Sequence, residues 1–357
     1  GNIKKGLVSM GYDFITIGSA TLDVFVGTDE ANIVSVTNIN RKLDFMSFPY
    51  GSKLDINEFS FDIGGGAVNT AANFANLGYK TSTIVKLGHD FQSKTIFKHI
   101  ESKHIETKNI IKTDNEISGF SIILTSFQGD RTVLTHRGTN ATIKKSEIDF
   151  DAIKNSKWLY IAPLSGQSAA ILDDLSVYAC KNNVNVAVNL GTTSIKKCAK
   201  HLNTTLQIAK ILVMNLEESI MLTKIDVKPD NLNETYSNQL IHPDIQKIFK
   251  TLHRCNGQII IITDGKNGAY CYNGETFYKC ENFESNIVST LGAGDAFAST
   301  FVATYSKWND IKKALKYAAV NASSVIEYFG ATWGLLNYGE IEEKLRQKPD
   351  FRVLSLQ

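Results

Sequence analysis

Proline is scarce in this chain, at 5 of 357 residues, and cysteine is no commoner. With 25 glycines spread through the sequence, that scarcity excludes collagen-like and low-complexity classes. The cysteines are Cys180, Cys198, Cys255, Cys271 and Cys280, an odd number without a C-x-x-C pair. A chain this long buries a large core without covalent staples, so idle or buried thiols in a reducing cytosol are expected. Excess charge of one sign is also missing. Lys and Arg total 38 and Asp and Glu 36, a net +2. No global pull toward nucleic acid or an anionic membrane follows from that balance. The seven histidines are scattered, with no H-x-x-x-H, so a zinc site is not expected. No apolar run approaches the ~20 residues of a membrane span. Lys4 and Lys5 are followed by no apolar segment, so no secretory signal is expected. There is no G-x-x-x-x-G-K-[ST], no H-R-D or D-F-G, and no G-x-G-x-x-G. What these absences leave is a cytoplasmic enzyme or binding protein, with neither nucleic acid nor membrane as partner.

Hydrophobic residues make up 43% and charged residues 21%, the balance of a soluble globular protein. The length suits two average domains, or one large α/β domain with an appendage. Short apolar, β-branched runs recur at Asp13–Ile17, Thr83–Lys86, Trp158–Ile161, Val184–Val188, Ile211–Met214 and Ile259–Thr263. Helical spacing lies between them, as in Ala67–Leu77 with Gly78 as its stop and in the 3–4 spacing from Ala314 to Ile326. Strands apolar on both faces and separated by helices predict a mostly parallel sheet covered on two sides. Residues 24–61 and 113–138 have another texture. Phe120–Leu124 and Arg131–Thr135 flank Ser126–Asp130, a polar turn with glycine, which is a hairpin signature. The two segments are expected to form one small antiparallel sheet on a body made of 1–23, 62–112 and 139–357. Residues 224–245 are rich in Asn, Asp and Pro and read as a polar surface insertion.

Five stretches carry chemistry. In Ser289–Asp295 (STLGAGD) two glycines precede a helix, whose first amides can cradle an anion. Asp295 in the first turn is stabilised as a carboxylate and can take a proton from a hydroxyl, or it serves as a plain helix cap. Gly64–Asn69 (GGGAVN) lets a ligand approach the backbone, or is an ordinary strand–helix turn. Asn215 and Glu218 stand three apart where a strand gives way to a helix, as oxygen ligands for Mg2+ or as a helix cap. Thr263–Gly268 ends another strand in a glycine turn, at the edge where open α/β sheets bind ligands. Asp23 follows the first strand, where a carboxylate can hold two neighbouring hydroxyls.

The order and spacing of these stretches resemble the ribokinase-like (PfkB-type) carbohydrate kinases. Gly64–Gly78, Asn215–Glu218 and Ser289–Phe297 running on to Gly330-Ala331 carry the likeness, which covers most of the chain. The resemblance implies a three-layer α/β/α sandwich with a β lid. It also implies transfer of the γ-phosphoryl of Mg-ATP to a hydroxyl. By the same resemblance, Asp295 is the base and the amides of Gly292, Ala293 and Gly294 form the anion hole. Asp23, Gly65 and Asn69 would bind the acceptor, while Asn215 and Glu218 would organise Mg2+, mostly through water. Asn189, Thr263, Gly265, Gly268 and Asn321 would attend the nucleotide. Ser289 departs from the family, which usually has Asp there and uses it toward an activating K+; K+ dependence is therefore in doubt. A homodimer through the lid is implied, fitting an apolar lid face with Phe25, Phe45, Phe48, Phe120 or Phe127. A neutral sugar is the first expected acceptor, a nucleoside the second and a phosphosugar the third, with Arg131, His136 and Arg137 at the lid's end. A sugar- or nucleotide-binding regulator is the non-enzyme alternative.

Overall fold

The computed structural model describes residues 11–38, 41–125, 131–197, 202–228 and 240–356. The chain starts with β1 (Tyr12–Ile17), β2 (Thr21–Gly27), β3 (Asn32–Asn38), β4 (Arg41–Ser47) and β5 (Glu58–Gly64). Helix α1 (Gly66–Asn76) leads to β6 (Thr81–Ile84), β7 (Lys86–Leu87), α2 (Phe91–Ser102) and β8 (Ile111–Lys112). Strands β9 (Phe120–Thr125) and β10 (Arg131–His136) precede α3 (Phe150–Lys154). Then follow β11 (Ser156–Ile161), α4 (Leu172–Lys181), β12 (Asn185–Asn189), α5 (Thr192–Lys197), α6 (Asn203–Ile208), β13 (Ile211–Asn215) and α7 (Leu216–Thr223). The last third holds α8 (Pro243–Leu252), β14 (Ile259–Thr263), β15 (Ala269–Tyr272) and β16 (Phe277–Cys280). It closes with α9 (Ala293–Trp308), α10 (Ile311–Val325), α11 (Tyr338–Gln347) and β17 (Val353–Leu356).

The main sheet has nine strands in the order β17-β16-β15-β14-β13-β12-β11-β1-β6. From β6 to β14 every pair is parallel, and β15, β16 and β17 add antiparallel edge strands. The two-residue period of a strand divides its apolar side chains between two cores. Leu159, Val188, Leu212, Ile260 and Ile262 pack with Leu175 of α4 and Phe249 of α8. Phe14, Tyr160, Val213, Ile259 and Ile261 pack with Phe74 of α1, Phe301 of α9 and Leu315 of α10. Each of these large side chains, fully buried, contributes about 1.5–3 kcal/mol relative to exposure. The α/β/α sandwich expected from the sequence is the observed one.

The second layer of strands is a four-stranded sheet ordered β10-β9-β2-β5. Its outer pairs are antiparallel, and the inner β2–β9 pair is parallel. Strands β3 and β4 pair separately, placing Val34 opposite Phe45 and Val36 opposite Leu43, all four exposed. Phe48, Phe59 and Phe61 are exposed as well, while Phe25 and Phe120 are half-buried. Phe127, Cys198 and the Ser126–Asp130 turn lie outside the described residues, and the other four cysteines are free thiols. The segment read as a polar insertion ends as structure. Pro243 is at the first turn of α8, where a missing N–H costs nothing, and Ile245 is buried. No helix among the described residues is long and apolar enough to cross a membrane.

Candidate active site

Helix α9 starts at Gly292, which has a left-handed φ of 79°. A Cβ on Gly292 would lie 2.6 Å from that of Ala331, so only glycine fits the bend. No side chain caps α9; the Ala293 amide makes a long 3.5 Å bond back to the Thr290 carbonyl, and the Gly294 amide lies in the first turn, where the helix offers it no acceptor. A Cβ on Gly294 would meet nothing within 4 Å, so this turn faces open space. Asp295 is half-buried in the first turn and accepts a 2.9 Å hydrogen bond from Nδ2 of Asn69. Burial raises the Asp295 carboxyl to about 6, against the opposing effect of that hydrogen bond. The side-chain oxygen of Asn69 is buried and has no partner among the described residues.

The glycine turn before α1 brings the residues expected to bind the acceptor to the same place. Gly65 has φ 99°, and a Cβ there would come 2.4 Å from the Ser19 carbonyl oxygen. The Gly66 amide donates to Ser19 Oγ at 3.0 Å, and a Cβ on Gly66 would sit 3.7 Å from Asp295 Oδ1. Asp23 lies above the turn, so close that a Cβ on Gly64 would collide with its Oδ2. Asp23 belongs to β2 rather than to a solvated turn, and it is buried. Burial raises its pKa, the hydroxyls of Ser121 and Thr21 oppose this, and the cross-strand Asp62 adds to the rise. Asp23, Gly65, Asn69 and Asp295 thus gather around the Gly64–Gly66 turn, next to the small sheet.

The residues expected to attend the nucleotide lie along the carboxyl ends of the parallel strands. Asn189 ends β12, and Asn215 at the end of β13 is the register partner of Thr263 on β14. Asn215 and Glu218 form a reciprocal helix cap. Oδ1 of Asn215 accepts from the Glu218 amide at 2.8 Å, and Glu218 Oε2 accepts from the Asn215 amide at 2.9 Å. Glu218 Oε1 takes a further bond from Thr192 Oγ1 at 3.2 Å. Burial raises the Glu218 carboxyl, with these donors opposing. Gly265 and Gly268 bound a short 3-10 turn. A Cβ on Gly268 would collide with the Cys280 carbonyl oxygen of β16, whereas Gly265 faces open space. Among the described residues no three His, Cys, Asp or Glu side chains gather as a metal cage.

Asn321 is not part of this groove. It is fully buried in α10, donates to Asn73 Oδ1 and Thr300 Oγ1, and accepts from the Leu336 amide. Every polar group it has is committed to tying α1, α9 and α10 together, so the expected adenine contact is withdrawn. Ser289, where a family carboxylate was missed, is buried, and its hydroxyl accepts from Arg131 Nη1 at 3.3 Å. Arg131 Nη2 also reaches Thr290 Oγ1 at 2.6 Å, bridging the small sheet to the α9 loop. Ser19, Thr192 and Asn140 were not singled out by the sequence. Asn140 both donates to the carbonyl and accepts from the amide of Ala20, at 2.9 Å each. A Thr or Asn just past a strand end was the available signal, and it is common.

The pattern of the pfkB family carbohydrate kinases matches residues 30–336. A 5-dehydro-2-deoxygluconokinase of Geobacillus kaustophilus is 26% identical over 352 residues, covering 94% of each chain. A ribokinase of Staphylococcus aureus is 26% identical over 310 residues, which is 85% of this chain and 95% of that one. In fold, the chain is similar to Arabidopsis thaliana ribokinase complexed with ribose and ATP, with a TM-score of 0.73 and 19% identity. That likeness covers 94% of this chain and 99% of the plant chain. With the matched pattern spanning most of its length, the chain belongs to the pfkB family of carbohydrate kinases, phosphotransferases with a hydroxyl acceptor.

Proposed function

We propose that the chain transfers the γ-phosphoryl of Mg-ATP to a hydroxyl of a small carbohydrate. One observation carries the reading: the Asn69–Asp295 pair. Asn69 holds the carboxylate with its amide nitrogen and leaves a buried carbonyl oxygen unpartnered beside it. An unpartnered buried acceptor is costly unless a ligand hydroxyl completes it. Asp295 is the general base that takes the proton of the attacking hydroxyl. The amides of Gly292, Ala293 and Gly294, none of them taken by a capping side chain, stabilise the transferred phosphoryl, and donors of this kind are worth roughly 3 kcal/mol each. Asp23, Gly65 and Asn69 orient the acceptor. The ends of β12, β13 and β14, with Asn189, Thr263, Gly265 and Gly268, receive the nucleotide.

Mg2+ supplies charge neutralisation on the phosphates when bound. The donor set fits an ion held by phosphates and water rather than a protein cage. Glu218 keeps lone pairs beyond its cap bonds, and Asn215 shares that cap. Ser289 is neutral and already accepts from Arg131, so activity independent of K+ is the expected behaviour. Two copies of the chain pair through the exposed apolar strands β3, β4 and β5.

ADP release is to be measured with Mg-ATP over sugars, sugar acids, sugar phosphates and nucleosides. Turnover of a carbohydrate that falls at least ~100-fold in Asp295→Asn, with ATP binding retained, supports the assignment. Turnover restricted to nucleosides replaces the acceptor class. ATP binding with no turnover of any compound favours a regulator.

A further inference from the structure

Strand β11 carries one polar group that neither the packing nor the proposed chemistry uses. Tyr160 is fully buried, and its hydroxyl has no hydrogen-bond partner among the described residues. The ring itself is well packed. It meets Phe74 of α1 edge-on, with centroids 5.6 Å apart and planes at 69°, in the core between the main sheet and helices α1 and α9. A phenylalanine would fill the same space without burying a hydroxyl that lacks a partner, a deficit of about 1–3 kcal/mol. For the stability of the fold the oxygen is a loss, so its use has to be sought in what lies around it.

The two-residue period of β11 puts Tyr160 and Ala162 on one face. A Cβ on Gly66 would lie 3.0 Å from that of Ala162 and 3.7 Å from Asp295 Oδ1, so this face looks toward the base. On the neighbouring strand β12, Ala187 is the register partner of Tyr160, and Asn189 stands two residues further on with the same orientation. The Asn189 side chain lies near the hydroxyl on the donor side, short of a full hydrogen bond, and Asp295 is the one charged group whose field reaches it. The elements packed around Tyr160 add no other charge. Helix α1 and strand β12 have no ionisable side chain, Tyr305 and Lys307 lie at the far end of α9, and Tyr12 and Asp13 at the far end of β1. Burial and the Asp295 charge raise the phenol well above its ordinary range, so it stays protonated and offers only an O–H. We propose that Tyr160 is a positioning residue for the base: in the loaded enzyme the Asn189 amide donates to the Tyr160 oxygen, and the Tyr160 O–H donates to Asp295. Such a charge-assisted bond holds Asp295 ionised and oriented. The chain also ties the end of β12, where the nucleotide is expected, to the carboxylate that takes the acceptor's proton. The inference rests on the kinase reading and adds a residue to it.

Tyr160→Phe removes only the oxygen. Its urea midpoint should equal or exceed that of the wild type, because no partner is lost. Rates are then followed from pH 5 to 9 at saturating Mg-ATP, with the carbohydrate that the wild type turns over fastest. The pH at which acceptor kcat/KM reaches half its plateau should move up by about 0.5–1 pH unit in Tyr160→Phe. At pH 6 kcat/KM should fall about 5–20-fold, and at pH 8 no more than about 3-fold, with the KM for ATP within about 2-fold of wild type. Asn189→Ala should move the profile in the same direction, and the double variant should move it no further than Tyr160→Phe alone. A Tyr160→Phe profile with the wild-type midpoint, or a destabilised variant whose losses are equal at pH 6 and pH 8, overturns the inference while the kinase reading stands. Full turnover by Asp295→Asn, or no turnover of any compound by the wild type, removes the base itself and this inference with it.

Discussion

Asn69 on α1 and Asp295 on α9 meet at 2.9 Å although 226 residues separate them in the chain. Two glycine bends make the meeting possible. Gly65 and Gly292 each take a left-handed φ and bring a helix start against the carboxyl edge of the main sheet. The pair gives the first prediction. Asn69→Ala removes the donor to Asp295 and the free acceptor together. We expect acceptor kcat/KM to fall about 10–1,000-fold with the KM for ATP little changed. An unchanged acceptor kcat/KM would take Asn69 out of the pocket.

A carboxyl raised to about 6 acts as a base only once ionised. The kcat/KM for the acceptor should therefore rise with pH through about 6 and level off above it. The stability effect has the opposite sense. A raised folded-state pKa stabilises the protonated form, so this group's contribution is present below about 4 and lost as pH climbs through 6. Asp295→Asn should be more stable than the wild type by about 1 kcal/mol at pH 8 and level with it near pH 4. Urea midpoints at the two pH values decide the point; a variant less stable at pH 8 would contradict it.

Asn321→Leu tests the reassignment of that residue to the core. The substitution leaves Asn73, Thr300 and the Leu336 amide short of a buried partner. Stability should drop about 2–4 kcal/mol, while the KM for ATP of the folded fraction stays at the wild-type value. A large rise in that KM with unchanged stability would restore the nucleotide role.

Gly65→Ala places a methyl against the Ser19 carbonyl in a backbone region that alanine avoids. Denaturant titration should show a loss of about 2 kcal/mol or more, with acceptor affinity falling alongside. A substitution without effect on either would mean that the bend has another geometry.

The apolar pairs Val34–Phe45 and Val36–Leu43 carry the dimer proposal. Sedimentation should find two copies of the wild type together and a single copy of the Val34→Asp/Phe45→Asp variant. A wild type that sediments as one copy at micromolar concentration refutes the pairing.

Much of this was legible in the sequence, for local reasons. Strand β14 is four isoleucines and a threonine, a run that buries both faces and announces a central parallel strand. The GAGD bend was legible because only glycine tolerates its dihedral angle and the approach of Ala331. The parallel pairing of β2 with β9 was not, since 93 residues separate Gly27 from Phe120 and no local pattern records which distant strand lies alongside. Asp23 looked like a turn residue for the same reason. Its strand is made by β5 and β9, which the surrounding letters do not show. The adenine role given to Asn321 ignored the helix period. Ala314, Ala318 and Val325 share its stripe, and that stripe is core.

The clasp of Asn140 on both sides of Ala20 has a mechanical corollary. Only Gly18, Ser19 and Ala20 connect β1 to β2, and the clasp fastens this joint to the main body. The root of β2, with Asp23 two residues on, is thereby anchored to the body, and at the opposite end of the sheet Arg131 supplies a second tie through Thr290.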